Sequence, residues 1–149
     1  RPNVAMIIVS NEYPEEKKIF IAQRNDLQDI WQFPQGGIDE GEEVLEALFR
    51  EMREEIGTDD AQIVGEYPEW ISYDFPAKIA IKMKPYIGQK QRYFLMKINE
   101  EAVINIKTQH PEFMDFKFVN VDKVLGMTAH FKKNVYEKVI NHFKEEGLL

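Results

Sequence analysis

An α+β fold, with strands and helices mixed around one core, follows from three observations. Short runs of β-branched and aromatic residues recur along the chain. One acidic segment, residues 36–58, breaks in with a helical period, and a second amphipathic segment, about residues 130–146, follows the last strand. Strands around one helix, then more strands and a final helix, describe an α+β or mixed α/β domain. At 149 residues a single domain, 1–149, is expected, large enough to bury a core without disulfide or metal staples.

With 44% hydrophobic and 30% charged residues the chain has the balance of a soluble globular protein, and no run is long and apolar enough for a membrane span. No membrane partner is expected. No signal peptide is visible, and a cytoplasmic location is the expectation, although a chain beginning at Arg1 leaves an upstream address open. Zero cysteines exclude disulfides and thiolate chemistry. A net charge of −7 argues against holding duplex DNA by broad phosphate neutralisation, and an acidic enzyme with an anionic substrate needs divalent metal between the two sets of oxygens.

Taken in order, residues 4–10 (VAMIIVS) read as a buried strand. A turn with Pro14 leads to residues 18–23 (KIFIAQ), the expected hairpin partner. Residues 24–29 are loop-like, and residues 31–35 (WQFPQ), interrupted by Pro34, suit an edge or bulged segment. Residues 61–67 and 70–75 read as strands, residues 77–86 (AKIAIKMKPY) as a mobile loop or a ragged strand, and residues 89–98 and 112–119 as two further strands. Residues 121–125 suit one helical turn. Residues 130–146 suit an amphipathic helix with Phe131, Val135, Val139, Ile140 and Phe143 on its apolar face and Gly147 as its stop.

The acidic segment carries the chemistry. Gly36, Gly37 and Gly41 permit tight turns, Asp39 and Glu40 place charge ahead of a helix of roughly four turns, and Gly57 offers a left-handed stop. Successive residues about 100° apart put Leu45, Leu48, Phe49, Met52 and Ile56 on the face to be buried. Glu51, Glu54 and Glu55 fall together on a neighbouring stripe, where like charges repel unless a cation is bound. Arg50 is placed to pair with Glu46 or Glu54 and hold part of the array. Alone, three glutamates would suit a solvated acidic face equally well. Magnesium takes oxygen ligands and shares substrate phosphates, so these carboxylates are candidate ligands. His110, His130 and His142 lack metal spacing and read as surface or structural residues.

Gly36, Glu42, Arg50, Glu51, Met52, Glu54, Glu55 and Gly57 stand at the spacing of the Nudix box, with Thr58 where that pattern prefers an aliphatic residue. The chain therefore resembles the Nudix hydrolases. The resemblance implies a mixed sheet sandwiched between helices, a main-chain carbonyl ligand at Gly36, a magnesium or manganese cofactor, and a glutamate general base. Glu51 is the first choice for that base, with Glu55 and Glu112 as rivals and Arg50 included in the catalytic set.

The likeness extends to Arg1-Pro2-Asn3-Val4, Trp31 through Gly37, Gly88-Gln89-Lys90-Gln91, Pro111-Glu112-Phe113 and Phe131-Lys132, which look like the bacterial RNA pyrophosphohydrolases and the similar dinucleoside polyphosphate hydrolases. It implies removal of pyrophosphate from triphosphorylated RNA 5′ ends, Arg24 stacked on the second base, and Glu112 among the metal ligands. Ala129 and His130 depart from that group's pattern. Arg1, Arg24, Gln91 and Lys132 are the candidate substrate contacts, with a solvated surface role the alternative for Arg1, Gln91 and Lys132. Free dinucleoside polyphosphates such as diadenosine tetraphosphate are the second expectation, and an idle nucleotide- or RNA-binding module the third. A protein activator is compatible with the sequence but not specified by it.

Overall fold

The computed structural model describes residues 2–149, so the expectation placed on Arg1 lies outside the described residues. Strand β1 (Pro2–Val9) is followed by β2 (Lys18–Arg24), β3 (Trp31–Gln32) and β4 (Gln35–Gly37), then helix α1 (Val44–Ile56). Next come β5 (Ala61–Glu66), β6 (Ile71–Asp74), helix α2 (Ala77–Lys82), β7 (Gly88–Ile98) and β8 (Phe113–Asn120). Two 3-10 segments, Val121–Gly126 and His130–Lys132, lead into helix α3 (Lys133–Glu145).

The described strands form one eight-stranded sheet, mixed because β1 runs parallel to β7 and antiparallel to β2 and β4. As β1 is covered on both faces, its residues are apolar without alternation. Val4 through Val9 are all buried. Ala5, Ile7 and Val9 join Val135, Val139 and Phe143 of α3 on one side. Val4, Met6 and Ile8 join Leu48, Met52 and Ile56 of α1 on the other. Each such side chain contributes about 1.5–3 kcal/mol of hydrophobic stabilisation, enough to fix both helices against the sheet.

One edge of β1 is divided between two partners. Its start pairs with β4, Asn3 opposite Gly37 and Ala5 opposite Gln35, whereas its end pairs with β2 at Val9 and Ile19. The chain leaving β2 must return to β4 across this division, which opens a cleft between them. Gly36 lies on its rim.

Three expectations are corrected. Residues 77–86 begin with a short helix, α2, rather than a loop or ragged strand. Pro76 accepts backbone hydrogen bonds from Ile79 and Ala80, both at 2.9 Å. None of its residues is buried, so no apolar stripe marked it. The last helix begins at Lys133 after a separate 3-10 turn, Phe131 is only partly buried, and Tyr136 completes the apolar face. Leu45, expected in the core, is 49% exposed because the buried face of α1 is turned toward Ala47, Glu51 and Glu55, which leaves Leu45 at its margin. Among the described residues no helix is long and apolar enough to cross a membrane.

Candidate active site

The acidic helix is built from its ends inward. Glu43 and Glu46 form a reciprocal capping box, and Gly57 closes the other end at φ 78° with its N–H donating to the Arg53 carbonyl. Glu46 is thereby occupied, so of the two partners expected for Arg50 only Glu54 pairs with it. Arg50 donates from Nε to Glu42 at 2.7 Å, from Nη1 to Glu51 at 2.9 Å and to Glu54 at 3.2 Å, and from Nη2 to the Gly37 carbonyl at 2.8 Å. One guanidinium so ties the glycine-rich loop to the helix. Its bond to Glu42, with help from the Asp39 N–H, holds that carboxyl down at about 2.

The three box glutamates do not share one environment. Glu51 and Glu55 are 7% and 8% exposed, whereas the Glu54 side chain stands outside at 56%. Burial lifts Glu51 to about 7 against the pull of Arg50, with Glu54 and Glu112 adding to the rise. Burial, then the charges of Glu112, Glu51 and Glu54, lift Glu55 to about 8. Gly36 lies directly against the Glu51 carboxyl. A Cβ built there would overlap the Glu51 carboxyl group, so only glycine permits the close approach.

A cleft of about 540 Å³ opens beside Gly36, lined also by Gly37 and Glu112 but not by Glu51, Glu54 or Glu55. Arg24, Tyr73, Phe131 and Lys132 form a further stretch of its wall, with Arg24 close enough to Glu112 for their charges to interact. Arg24 is held flat by two bonds to Asp26, Nε to Oδ1 at 2.7 Å and Nη2 to Oδ2 at 2.5 Å. The Tyr73 and Phe131 rings lie 5.6 Å apart, with the Lys132 ammonium 5.9 Å from each. This wall offers planar stacking faces and donors.

Lys132 and Gln91 correct the surface alternative. Lys132 is 4% exposed, and its Nζ donates to Gln32 at 3.3 Å and to Gln35 at 3.5 Å. Burial, with the nearby Arg24 charge, lowers it to about 7. Gln91 is fully buried and lies behind the cleft rather than on its lining, hydrogen-bonded to Gln35. His110 and His130 are exposed, and His142 pairs with Glu146 at 2.8 Å, in keeping with structural or surface roles. Tyr73 also lines the cleft and was not singled out from sequence, whereas Gln32, Gln35 and Gln89 stood within the segments that carry the resemblance, without a role of their own.

A model of the NUDIX domain matches residues 1–139. The chain belongs to the Nudix family. Curated relatives of this Nudix hydrolase include an RNA pyrophosphohydrolase of Campylobacter jejuni, 60% identical over the whole chain and 96% of the relative. Others of that name come from Nitratiruptor, 56% identical over 99% of this chain and 95% of the relative, and from Helicobacter pylori, 49% identical over 100% and 96%. The dihydroneopterin triphosphate pyrophosphohydrolase of E. coli shares the fold at TM-score 0.74 and 20% identity, covering 94% of this chain and 95% of that one. A C. elegans Ap4A hydrolase does so at TM-score 0.67 and 16%, covering 96% and 98%.

Nudix hydrolases depend on a divalent metal, and the residues present fit one. The Glu55 Oε2 is buried with no hydrogen-bond partner, an arrangement that is costly unless a cation answers it. All candidate donors are oxygens, the set that hard cations take. Among the described residues no three His, Cys, Asp or Glu side chains stand together as a ready cage.

Proposed function

We propose that this Nudix hydrolase removes pyrophosphate from triphosphorylated RNA 5′ ends, leaving a 5′-monophosphate and initiating decay of the RNA in the cytoplasm. The observation that carries the reading is one cleft lined by Gly36 and Glu112 together with Arg24, Phe131 and Lys132, with the Glu51 carboxyl packed directly against Gly36. That wall suits a single-stranded end, which needs a stacking face and a few cations rather than a basic surface. The relatives named RNA pyrophosphohydrolase support the same substrate. Residues 1–149 act as one domain in this reading.

Magnesium, with manganese as the alternative, would be held by Glu51, Glu54, Glu55 and Glu112 with the Gly36 carbonyl; there it would neutralise phosphate charge and make water easier to deprotonate. Glu51 takes the proton of the attacking water at its carboxylate, with Glu55 and Glu112 as the competing bases. Water oxygen bonds to the α-phosphorus as the bond to the β-bridging oxygen breaks, and pyrophosphate departs. Arg50 holds the Glu51 carboxyl in place, so it is a positioning residue. Arg24 stacks on the second nucleotide's base, and Lys132 donates to the bound end. Gln91 acts from behind the cleft.

The second reading, hydrolysis of free dinucleoside polyphosphates, draws on the shared fold of the C. elegans Ap4A hydrolase. The complete set of box acids supports an active enzyme over an idle binding module. Catalytic efficiencies with magnesium on triphosphorylated RNA and on diadenosine tetraphosphate rank these readings. RNA is expected to be preferred. A higher kcat/KM on the dinucleotide would reverse the order, and RNA binding without hydrolysis of either would leave only the binding module.

A further inference from the structure

Residues 75–91 carry charge of one sign only. Lys78, Lys82, Lys84 and Lys90 fall within them and no Asp or Glu does, in a chain whose 26 acidic residues outnumber its 19 Lys and Arg. The helical part, α2, buries no residue, so the core does not require it. Lys78 and Lys82 stand one turn apart on the same side of that helix, where two like charges repel unless an anion lies across them. Neither they nor Lys84 form a salt bridge among the described residues, and all three are exposed.

This cationic segment opens onto the cleft. Ile79, Lys82 and Met83 line the same cavity as Arg24. Phe75, whose ring meets Tyr73 edge-on with centroids 6.0 Å apart, carries the aromatic wall toward α2. The Asp26 carboxyl, held low first by its hydrogen bonds to Arg24, also feels the charge of Lys82, which sets Lys82 beside the Arg24 platform. A strand whose second base lies on Arg24 has its next phosphates to place there. Lys82, and then Lys78 farther along the helix, are the cations that adjoin that point. Lysines that track phosphates, with aromatic rings beside them, are the composition of a surface for single strands of any sequence.

We infer that α2 carries the RNA strand downstream of the second nucleotide, with Lys82 and Lys78 on successive phosphates and no reading of base identity, a path that rests on the proposed RNA substrate. Charge alone would also suit an acidic protein. Continuity with the nucleotide cleft favours RNA. A free dinucleoside polyphosphate has no downstream strand and gains nothing from α2.

The test is binding of a 5′-monophosphorylated RNA octamer, which needs no hydrolysis, to wild type and to the Lys78→Gln, Lys82→Gln double variant. Fluorescence anisotropy follows it across a salt series at one fixed magnesium concentration. Each phosphate contact on a single strand contributes a slope of about −0.7 in log affinity against log salt, so the variant's slope should be shallower by about 1.4, and its shortfall in affinity should shrink about 7-fold between about 50 and 200 mM salt. In turnover, the kcat/KM advantage of a triphosphorylated octamer over a triphosphorylated dinucleotide should fall about 10-fold. An unchanged slope in a variant that melts like wild type overturns the inference, as does an equal loss on octamer and dinucleotide. Lys82→Gln alone, with about half the change in slope, serves if the double variant does not fold. Tighter binding of a glutamate-rich peptide than of the octamer would give the face to an acidic protein and also overturn the RNA path. An octamer bound with the expected change in slope by an enzyme that leaves triphosphorylated RNA uncut keeps the strand path and removes the proposed reaction.

Discussion

Raising the pH of metal-free protein should unfold it from the active site outward. Glu51 and Glu55 titrate at about 7 and about 8 in the folded chain, against an ordinary 4.5. Between those values the folded state holds protons that the unfolded state has released, so stability falls as pH rises. One full proton of difference is about 1.4 kcal/mol per pH interval, and because the two carboxyls are coupled, their joint cost is on the order of 5 kcal/mol by pH 8. Lys132 acts with the opposite sign. Lowered from 10.5 to about 7, it makes the unfolded state the better proton binder between those values, so stability recovers as pH rises further. Thermal unfolding followed by circular dichroism in EDTA should therefore show Tm falling by on the order of 10 °C from pH 5 to between 7 and 8, then rising. Magnesium should restore Tm near pH 8 by binding the folded state. The Glu51→Gln, Glu55→Gln double variant should be nearly flat from pH 5 to 7. A wild-type Tm that is level or rising over that interval in EDTA, or unmoved by magnesium at pH 8, would refute the reasoning.

Gly36→Ala should cost at least about 100-fold in turnover, since its Cβ would overlap the Glu51 carboxyl, and destabilise by about 1–3 kcal/mol; pyrophosphate release and thermal melts check both. Lys132→Met should raise KM for RNA while making the protein more stable below pH 7, because it removes an ammonium held without a carboxylate partner. Denaturant titration at pH 6 measures that gain, and a loss there would contradict it. Arg50→Lys keeps the charge but loses the fork that grips Glu42 by Nε and Nη2, and should lower kcat with little change in KM.

The acidic helix was legible because its glycines, caps and glutamates stand at fixed spacing, and each of those signals is local. The covered strand β1 was legible for a related reason, as an unbroken apolar run has few other uses. Helix α2 was not, because Ala77 through Lys82 are stabilised by local backbone bonds and bury nothing. Leu45 was misplaced because the expected face was centred on the apolar residues, whereas the buried face of α1 also takes in Ala47, Glu51 and Glu55 and so lies to one side of it. Lys132 and Gln91 were read as substrate contacts with a solvated surface role as the alternative, since polarity usually means solvent. Lys132 is buried against Gln32, 100 positions away, and Gln91 against Gln35, 56 positions away. No window of sequence displays that pairing. The division of β1 between β4 and β2, which opens the cleft, is likewise a property of pairing and not of either strand alone.

The central claim is that the α1 glutamates beside Gly36 carry the hydrolysis. Pyrophosphate release from triphosphorylated RNA at saturating magnesium, compared between wild type and Glu51→Gln, tests it most directly. Glu51→Gln is expected to fold with turnover reduced by at least about 100-fold, and wild type to yield 5′-monophosphorylated RNA. Near-normal turnover by Glu51→Gln would contradict Glu51 as the base, and a wild type that releases no pyrophosphate would contradict the proposed reaction itself.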